Sequence, residues 1–230
     1  MTYEDAMLWL VMGKNMWHRK IALLMRKFGS PGRVWEASYE QLVQSGILKE
    51  EDAGELCESR ENFDPAAEWC KLEQKGIRFL TDRSEEFPKK LLDIPDRPYA
   101  LFIKGCIHSD GTEKRVAVIG ARVCSAYGRY AAGKFAGELA EYGIATVSGM
   151  ARGVDSAAHQ GTVAAGGRTY AILGCGVDIC YPPENKYLYD RIIEQGAVLS
   201  EYPPGTRPNA WQFPERNRLI SGMADLSLIH

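Results

Sequence analysis

The spacing of apolar residues along this chain changes near residue 64. Before that point they recur with a helical period, as in Ile21, Leu24, Met25 and Phe28, with breaks at Gly13, Gly29-Ser30-Pro31 and Gly46. Ser38 with Gln41 three residues later reads as a capping box opening a short helix that Gly46 closes. Residues 1–63 are therefore expected to form a small all-α module of three or four short helices, of the SAM or helix-hairpin kind. Asp64-Pro65 supplies an N-cap followed by proline at the first helical position, and Gly76 supplies a stop, which predicts a helix over 65–75.

Beyond that helix the apolar residues come in short unbroken runs. The first two, 77–81 and 99–103, flank a charged stretch at 82–96 and precede a polar turn at 108–111. From Arg115 the pattern is regular: a run at 116–119, a helix over about 127–142, a run at 144–147 and a helix over about 156–165. It continues with 170–173, a helix over about 184–195, then 197–199 and 226–229. Continuous runs alternating with helices predict an α/β fold, a Rossmann-like parallel sheet with helices on both faces, occupying residues 64–230. The two early strands are expected as additions at the front of that sheet.

Composition narrows the chemistry. The net charge of −2 gives no global attraction to nucleic acid, so any anion site is local. Residues 1–113 hold 16 basic against 20 acidic groups, whereas residues 114–230 hold 12 against 10, and nine of those 12 are Arg, whose planar fork matches phosphate oxygens. The six cysteines form no CxxC pair, and no His or Cys recurs at zinc-ligand spacing, which points to reduced thiols and no metal or cofactor. With no signal-peptide pattern at the start and no run of 18 apolar residues, a cytoplasmic protein is expected.

In an open parallel sheet, ligands bind beyond the carboxyl ends of the strands. The first such loop holds Gly120, Arg122 and Ser125, and the glycine allows backbone to approach an anion at a helix start. The second holds Ser148, Gly149, Arg152 and Gly153, with Asp155 as the expected N-cap of the next helix. Asp155 and His159 share a helix face, but with no third ligand or nucleophile a structural role is preferred to an acid–base or metal one. The third loop ends in Lys186 beside Tyr181, Tyr187 and Tyr189, and cations beside aromatics suit single strands, with Tyr189 as the expected stacking platform. A Pro-rich loop then ends in Arg216-Asn217-Arg218 at an expected helix start, which suits an anion. The Met12-Gly13-Lys14-Asn15 turn of the helical module is read as packing or protein contact rather than a grip on nucleic acid.

Val118-Ile-Gly-Ala-Arg122, SGMARGVDSAAH (148–159), ILGCGVDICYPPENKYL (172–188), SEYPPGT (200–206) and FPERNRLI (213–220) occur in an order that resembles the DNA-processing protein A family, DprA or Smf. The resemblance covers residues 64–230, and the helical start is similar to that family's N-terminal module. It implies a non-catalytic homodimer that binds single-stranded DNA in a basic pocket and hands it to the RecA recombinase, notably in natural transformation. By position, Gly120 and Arg122 match the family's Gly-Ser/Thr-Arg loop, with Ala121 in place of the hydroxyl residue. Ser148, Gly149, Arg152 and Gly153 match its SGxARG loop, Lys186 and Asn217 its polar pocket positions, and Arg216 and Arg218 its RNR motif.

Two departures stand out. The helical module lacks a clear Gly-Leu-Gly hairpin, and the sequence ends at His230 in an expected strand where the family continues with further Rossmann elements and often a winged helix. The resemblance is thus to a member truncated at its C-terminus. The competing reading is a nucleotide hydrolase similar to the phosphoribohydrolases of the cytokinin-activating type. Pro203-Pro-Gly-Thr-Arg207 lacks the glutamate their PGGxGTxxE loop needs.

Overall fold

The computed structural model describes residues 1–108 and 111–229, so part of the turn expected at 108–111, and His230, lie outside the described residues. The helical start holds five helices rather than three or four: α1 (Tyr3–Met12), α2 (His18–Phe28), α3 (Pro31–Glu36), α4 (Tyr39–Gln44) and α5 (Glu50–Glu61). The break expected at Gly29-Ser30-Pro31 is present. Ser30 caps α3 by accepting from Arg33 N, and Pro31 fits the first helical turn, so the chain restarts after Gly29. The box on α4 is formed as expected, with Ser38 Oγ accepting from Gln41 N at 3.3 Å and Gln41 Oε1 from Ser38 N at 2.9 Å. Asp64 caps α6 (Pro65–Gln74) through Ala66 N and Ala67 N.

Among the described residues seven strands form one sheet in the order β1-β2-β6-β5-β4-β3-β7: β1 (Arg78–Thr81), β2 (Ala100–Gly105), β3 (Arg115–Ile119), β4 (Ala145–Ser148), β5 (Thr169–Ile172), β6 (Ala197–Ser200) and β7 (Leu226–Ile229). From β6 to β7 all pairs are parallel, while β1–β2 and β2–β6 are antiparallel. The sheet is therefore mixed, and the two early strands extend it at the β6 side. The connecting helices are α7 (Ala126–Glu141), α8 (Val154–Ala164), α9 (Lys186–Gln195) and α10 (Gln212–Met223).

Both faces are covered, which is why β4, β5 and β6 are buried throughout and read as unbroken apolar runs. On one face Leu219, Ile220 and Met223 of α10 pack with Phe87 and Leu91 against Leu101, Ile172 and Leu199. On the other, Ala132, Ala136, Ala157 and Ala158 of α7 and α8 cover Val116 and Val118. Beside them one apolar cluster runs from Met7 and Leu8 of α1 through Phe79 and Phe102 to Val198 and Ile192, so the helical start and the sheet share a core. Lys14 of the Gly13 turn pairs with Glu55, and Asn15 donates to Asp52 at 3.1 Å, so these polar groups are spent inside the module.

Candidate nucleic-acid interface

The chain steps outward through β3, β4, β5 and β6, then returns across the sheet so that α10 leads to β7 on the far side of β3. The order reverses at β3, and such a switch point opens a crevice at the carboxyl ends of the strands. A cleft of about 450 Å³ lies there, lined by Gly120, Arg122, Asp155, Phe213, Asn217 and Ile229 among others. A smaller crevice of about 40 Å³ adjoins it between the β4 and β5 loops, and Arg122, Arg216 and Phe213 border both.

The two glycine loops are tied together from within. Asp155 was expected as the N-cap of α8, but Gly153 holds that position with φ +81°, a conformation suited to glycine, and a Cβ there would lie 2.2 Å from Ala121 O. Asp155 sits in the first turn instead and accepts from Gly120 N at 3.4 Å and Gly149 N at 3.2 Å. The Gly120 backbone, expected to approach an anion, thus already faces a carboxylate within the protein. Burial raises the Asp155 pKa, opposed by the charge of Arg216 and by the backbone amides. His159 is fully buried with Nδ1 2.6 Å from Thr169 Oγ1, and burial together with Arg216 pushes its pKa down to about 3. His159 is therefore sealed from the cleft, whereas the Asp155 carboxylate borders it.

The expected cations divide sharply. Arg216 was read as an anion contact at a helix start. Since α10 begins at Gln212, Arg216 lies in its second turn, 4% exposed, with Nη1 donating to Gly149 O at 3.0 Å and also to Ile172 O. It satisfies carbonyls at the ends of β4 and β5 rather than facing solvent, and a Cβ on Gly149 would meet its guanidinium at 2.6 Å. Burial lowers its pKa to about 10, with Asp155 opposing the change. Arg218 donates to Glu201 at 2.5 Å and is mostly buried. Arg152 pairs with Glu184, and Lys186 with Asp190 at 2.6 Å, all four side chains well exposed. Arg122 is exposed and, among the described residues, has no carboxylate partner; its guanidinium lies 5.2 Å from the centroid of Phe213.

The remaining positions are accounted for locally. Ser125 caps α7 by accepting from Gly128 N at 3.0 Å, and buried Ser148 donates to Val118 O at 2.6 Å. Asn217 is exposed at the cleft and accepts from Arg216 Nε at 3.3 Å. Tyr189 needs correction as a stacking platform: it is 5% exposed, packs in the core with Leu188 and Ile192, and donates its hydroxyl proton to Val177 O. A ring without an open face cannot receive a base. The aromatic groups at the mouth are instead Tyr181 and Phe213, half-buried and stacked with centroids 5.4 Å apart at 23°. Sequence reading missed Phe213, although its place three residues before Arg216 on one helix puts both on the same face.

Among the described residues there is no group of three or more His, Cys, Asp or Glu able to hold a metal ion, and no helix long and apolar enough to cross a membrane. Fold and site together define an open α/β protein of the Rossmann-like class, with a partly cationic mouth at the switch point of its parallel strands. Within that class, the chain belongs to the DNA recombination-mediator protein A family, whose sequence model it matches over residues 78–230. It is 36% identical over 173 residues to the Smf protein of Synechocystis, covering 74% of this chain and 44% of that protein. The crystal structure of DNA processing protein A from Streptococcus pneumoniae superposes with a TM-score of 0.78 at 29% identity, over 100% of this chain and 78% of that one. DNA processing protein A from Helicobacter pylori, described for its single-stranded DNA binding mode, gives 0.60 at 31% identity over 67% of this chain and 70% of that one. The chain spans about half the length of the curated relatives it matches.

Proposed function

We propose that this chain binds single-stranded DNA across the strand-end mouth, without catalysing a reaction, and that as a homodimer it passes the strand to RecA during uptake and recombination of DNA. The observation that carries the reading is Arg122: an exposed guanidinium without a carboxylate partner among the described residues, at the junction of two crevices. An unneutralised cation that stacks on an aromatic ring and borders a cleft is suited to a phosphate next to a base. Arg152 of the β4 loop and Asn217 of α10 each line a crevice together with Arg122, and Gly153 lets the β3 and β4 loops pack closely. Arg216 and Asp155 hold the loops in place from below. The single-stranded DNA binding described for the Helicobacter pylori relative supports the choice of ligand.

The test is a side-by-side anisotropy titration of the full chain with oligo-dT, a matched duplex and a mononucleotide. Tighter binding of oligo-dT than of the other two is expected. Duplex binding equal to or tighter than that of the single strand overturns the reading, and so does binding of the mononucleotide alone. Transfer to RecA is read separately, as faster assembly of RecA on protein-coated DNA in the presence of this chain.

A further inference from the structure

We propose that the exposed face of α2, continued by Arg33 of α3, is a second phosphate-binding surface, which holds the backbone of single-stranded DNA beyond the strand-end mouth. This rests on the strand-binding reading above and extends the path of the strand onto the helical start. Between residues 6 and 35 the chain carries six Lys or Arg and no Asp or Glu, although residues 1–113 as a whole are acidic. Those six cations are used unequally. Lys14 and Lys20 turn to α5, where they meet Glu55 and Asp52, and Arg19 holds Glu215 at 3.0 Å. Arg26, Lys27 and Arg33 are exposed and, among the described residues, have no carboxylate partner.

Helix geometry gathers the cations on one side. Ile21, Leu24 and Met25 of α2 are buried, which turns Arg19, Leu23, Arg26 and Lys27 outward along a single face. From Arg19 to Lys27 that face runs about 12 Å, at 1.5 Å of rise per residue. Its near end adjoins the mouth: α10 carries Phe213 beside Arg122 and also Glu215, which holds Arg19, and Trp17 at the start of α2 stands 4.8 Å from Trp211 at the start of α10. A strand leaving the mouth across the start of α10 therefore arrives at the start of α2, with Arg26, Lys27 and Arg33 ahead of it. A row of unpaired cations matches the charge of a sugar–phosphate backbone, and continuity with the mouth selects the strand already held there. The competing occupant is α5 of a second copy, which bears six acidic residues against one basic.

The experiment titrates the full chain with a dT oligomer of about six nucleotides, which the mouth alone can hold, and with one of about twenty, which reaches α2. In the parent the slope of log K against log salt should be steeper for the longer oligomer by about 2, from three added contacts at about 0.7 each. Arg26→Gln, Lys27→Gln and Arg33→Gln combined should abolish that difference and leave the affinity for the shorter oligomer unchanged, whereas Arg122→Ala should weaken both. Leu23→Arg, which adds a cation to the same face, should steepen the slope for the longer oligomer by about a further 0.7. Thermal melts establish that each variant is folded, and if the triple variant is not, Leu23→Arg carries the test. Equal slopes for the two oligomers in the parent, or a parental slope in the triple variant, overturn the second surface and leave the mouth intact. Sedimentation velocity reads the competing occupant: self-association of the parent that the triple variant loses, with dT binding unchanged, assigns the face to a second copy and overturns the proposal. Failure of the parent to bind either oligomer removes the strand-binding reading, and the second surface with it.

Discussion

Arg122 and Arg152 occupy equivalent places on adjacent loops, yet the structure predicts that their removal will act differently. On a single strand each neutralised phosphate contributes about 0.7 to the slope of log K against log salt. Arg122 has no carboxylate partner among the described residues, so Arg122→Ala should remove a whole contact and flatten the slope by about 0.7. Between 50 and 200 mM salt that amounts to about 2.6-fold less salt-induced loss of affinity. Arg152 holds Glu184 through its Nε, and that carboxylate already offsets part of the charge a phosphate on the guanidinium would meet. Arg152→Ala should therefore flatten the slope by less, while Glu184→Gln should tighten binding at low salt and steepen the slope by up to about 0.7. Both side chains are exposed, so neither change should move the melting temperature appreciably. Anisotropy titrations with oligo-dT at three or four salt concentrations measure all of this. A parental slope in Arg122→Ala, or weaker binding in Glu184→Gln, would refute the reasoning.

Three further outcomes are expected. Arg216→Met leaves buried carbonyls and Asp155 without their cation and should cost about 3–5 kcal/mol in urea unfolding, with the m-value unchanged; a loss below about 1 kcal/mol would mean that the arginine is not the brace described. His159 has a folded pKa near 3 against 6.5 unfolded, so above about pH 7.5 both states are largely neutral and the histidine has little effect on pH dependence there. Below pH 6.5 the unfolded chain takes up a proton that the folded one cannot, and stability falls as pH drops towards 3, by about 2 kcal/mol at pH 5 from this group. Denaturant midpoints in His159→Gln should vary less between pH 7.5 and 5 than in the parent. Incubation with AMP-type ribonucleotides should release no base, and turnover abolished by Asp155→Asn would instead support the hydrolase reading.

The parallel half of the fold was legible because burial on both faces leaves unbroken runs such as Val116–Ala-Val-Ile119, and each helix between them carries its own period. Sheet order was not legible to the same degree, since an apolar run such as residues 100–103 does not say which strand it will lie beside. In the site, residue type was the better guide and environment the poorer one. Arg216 and Arg122 look alike in sequence, but the start of α10 at Gln212 carries the first inward. Asp155 follows the pattern of a capping residue, and only the left-handed φ at Gly153 shows that the helix begins earlier. Tyr189 was recoverable: it lies three residues before buried Ile192 and next to Leu188, on the apolar stripe of α9. The carboxylate partners Glu184 and Asp190 were visible as letters, but their pairing with the cations depends on loop conformation.

The register of β2 has a consequence for biosynthesis. Phe102 pairs with Ser200 and Gly105 with Ala197, so the strand is made about ninety to a hundred residues before the one it must lie against. At translation rates of about 5–20 residues per second, the growing chain carries an unfilled strand edge for about 5–20 s. During that interval β1 is available as a partner on one side, and the other side, with its apolar Phe102 and Ile103, is open to wrong pairings. The helical start can cover part of this surface early, because α1 packs on β1 before any of the parallel strands exist. The N-terminal helices are thus synthesised in time to pack on β1 before β6, the second partner of β2, leaves the ribosome.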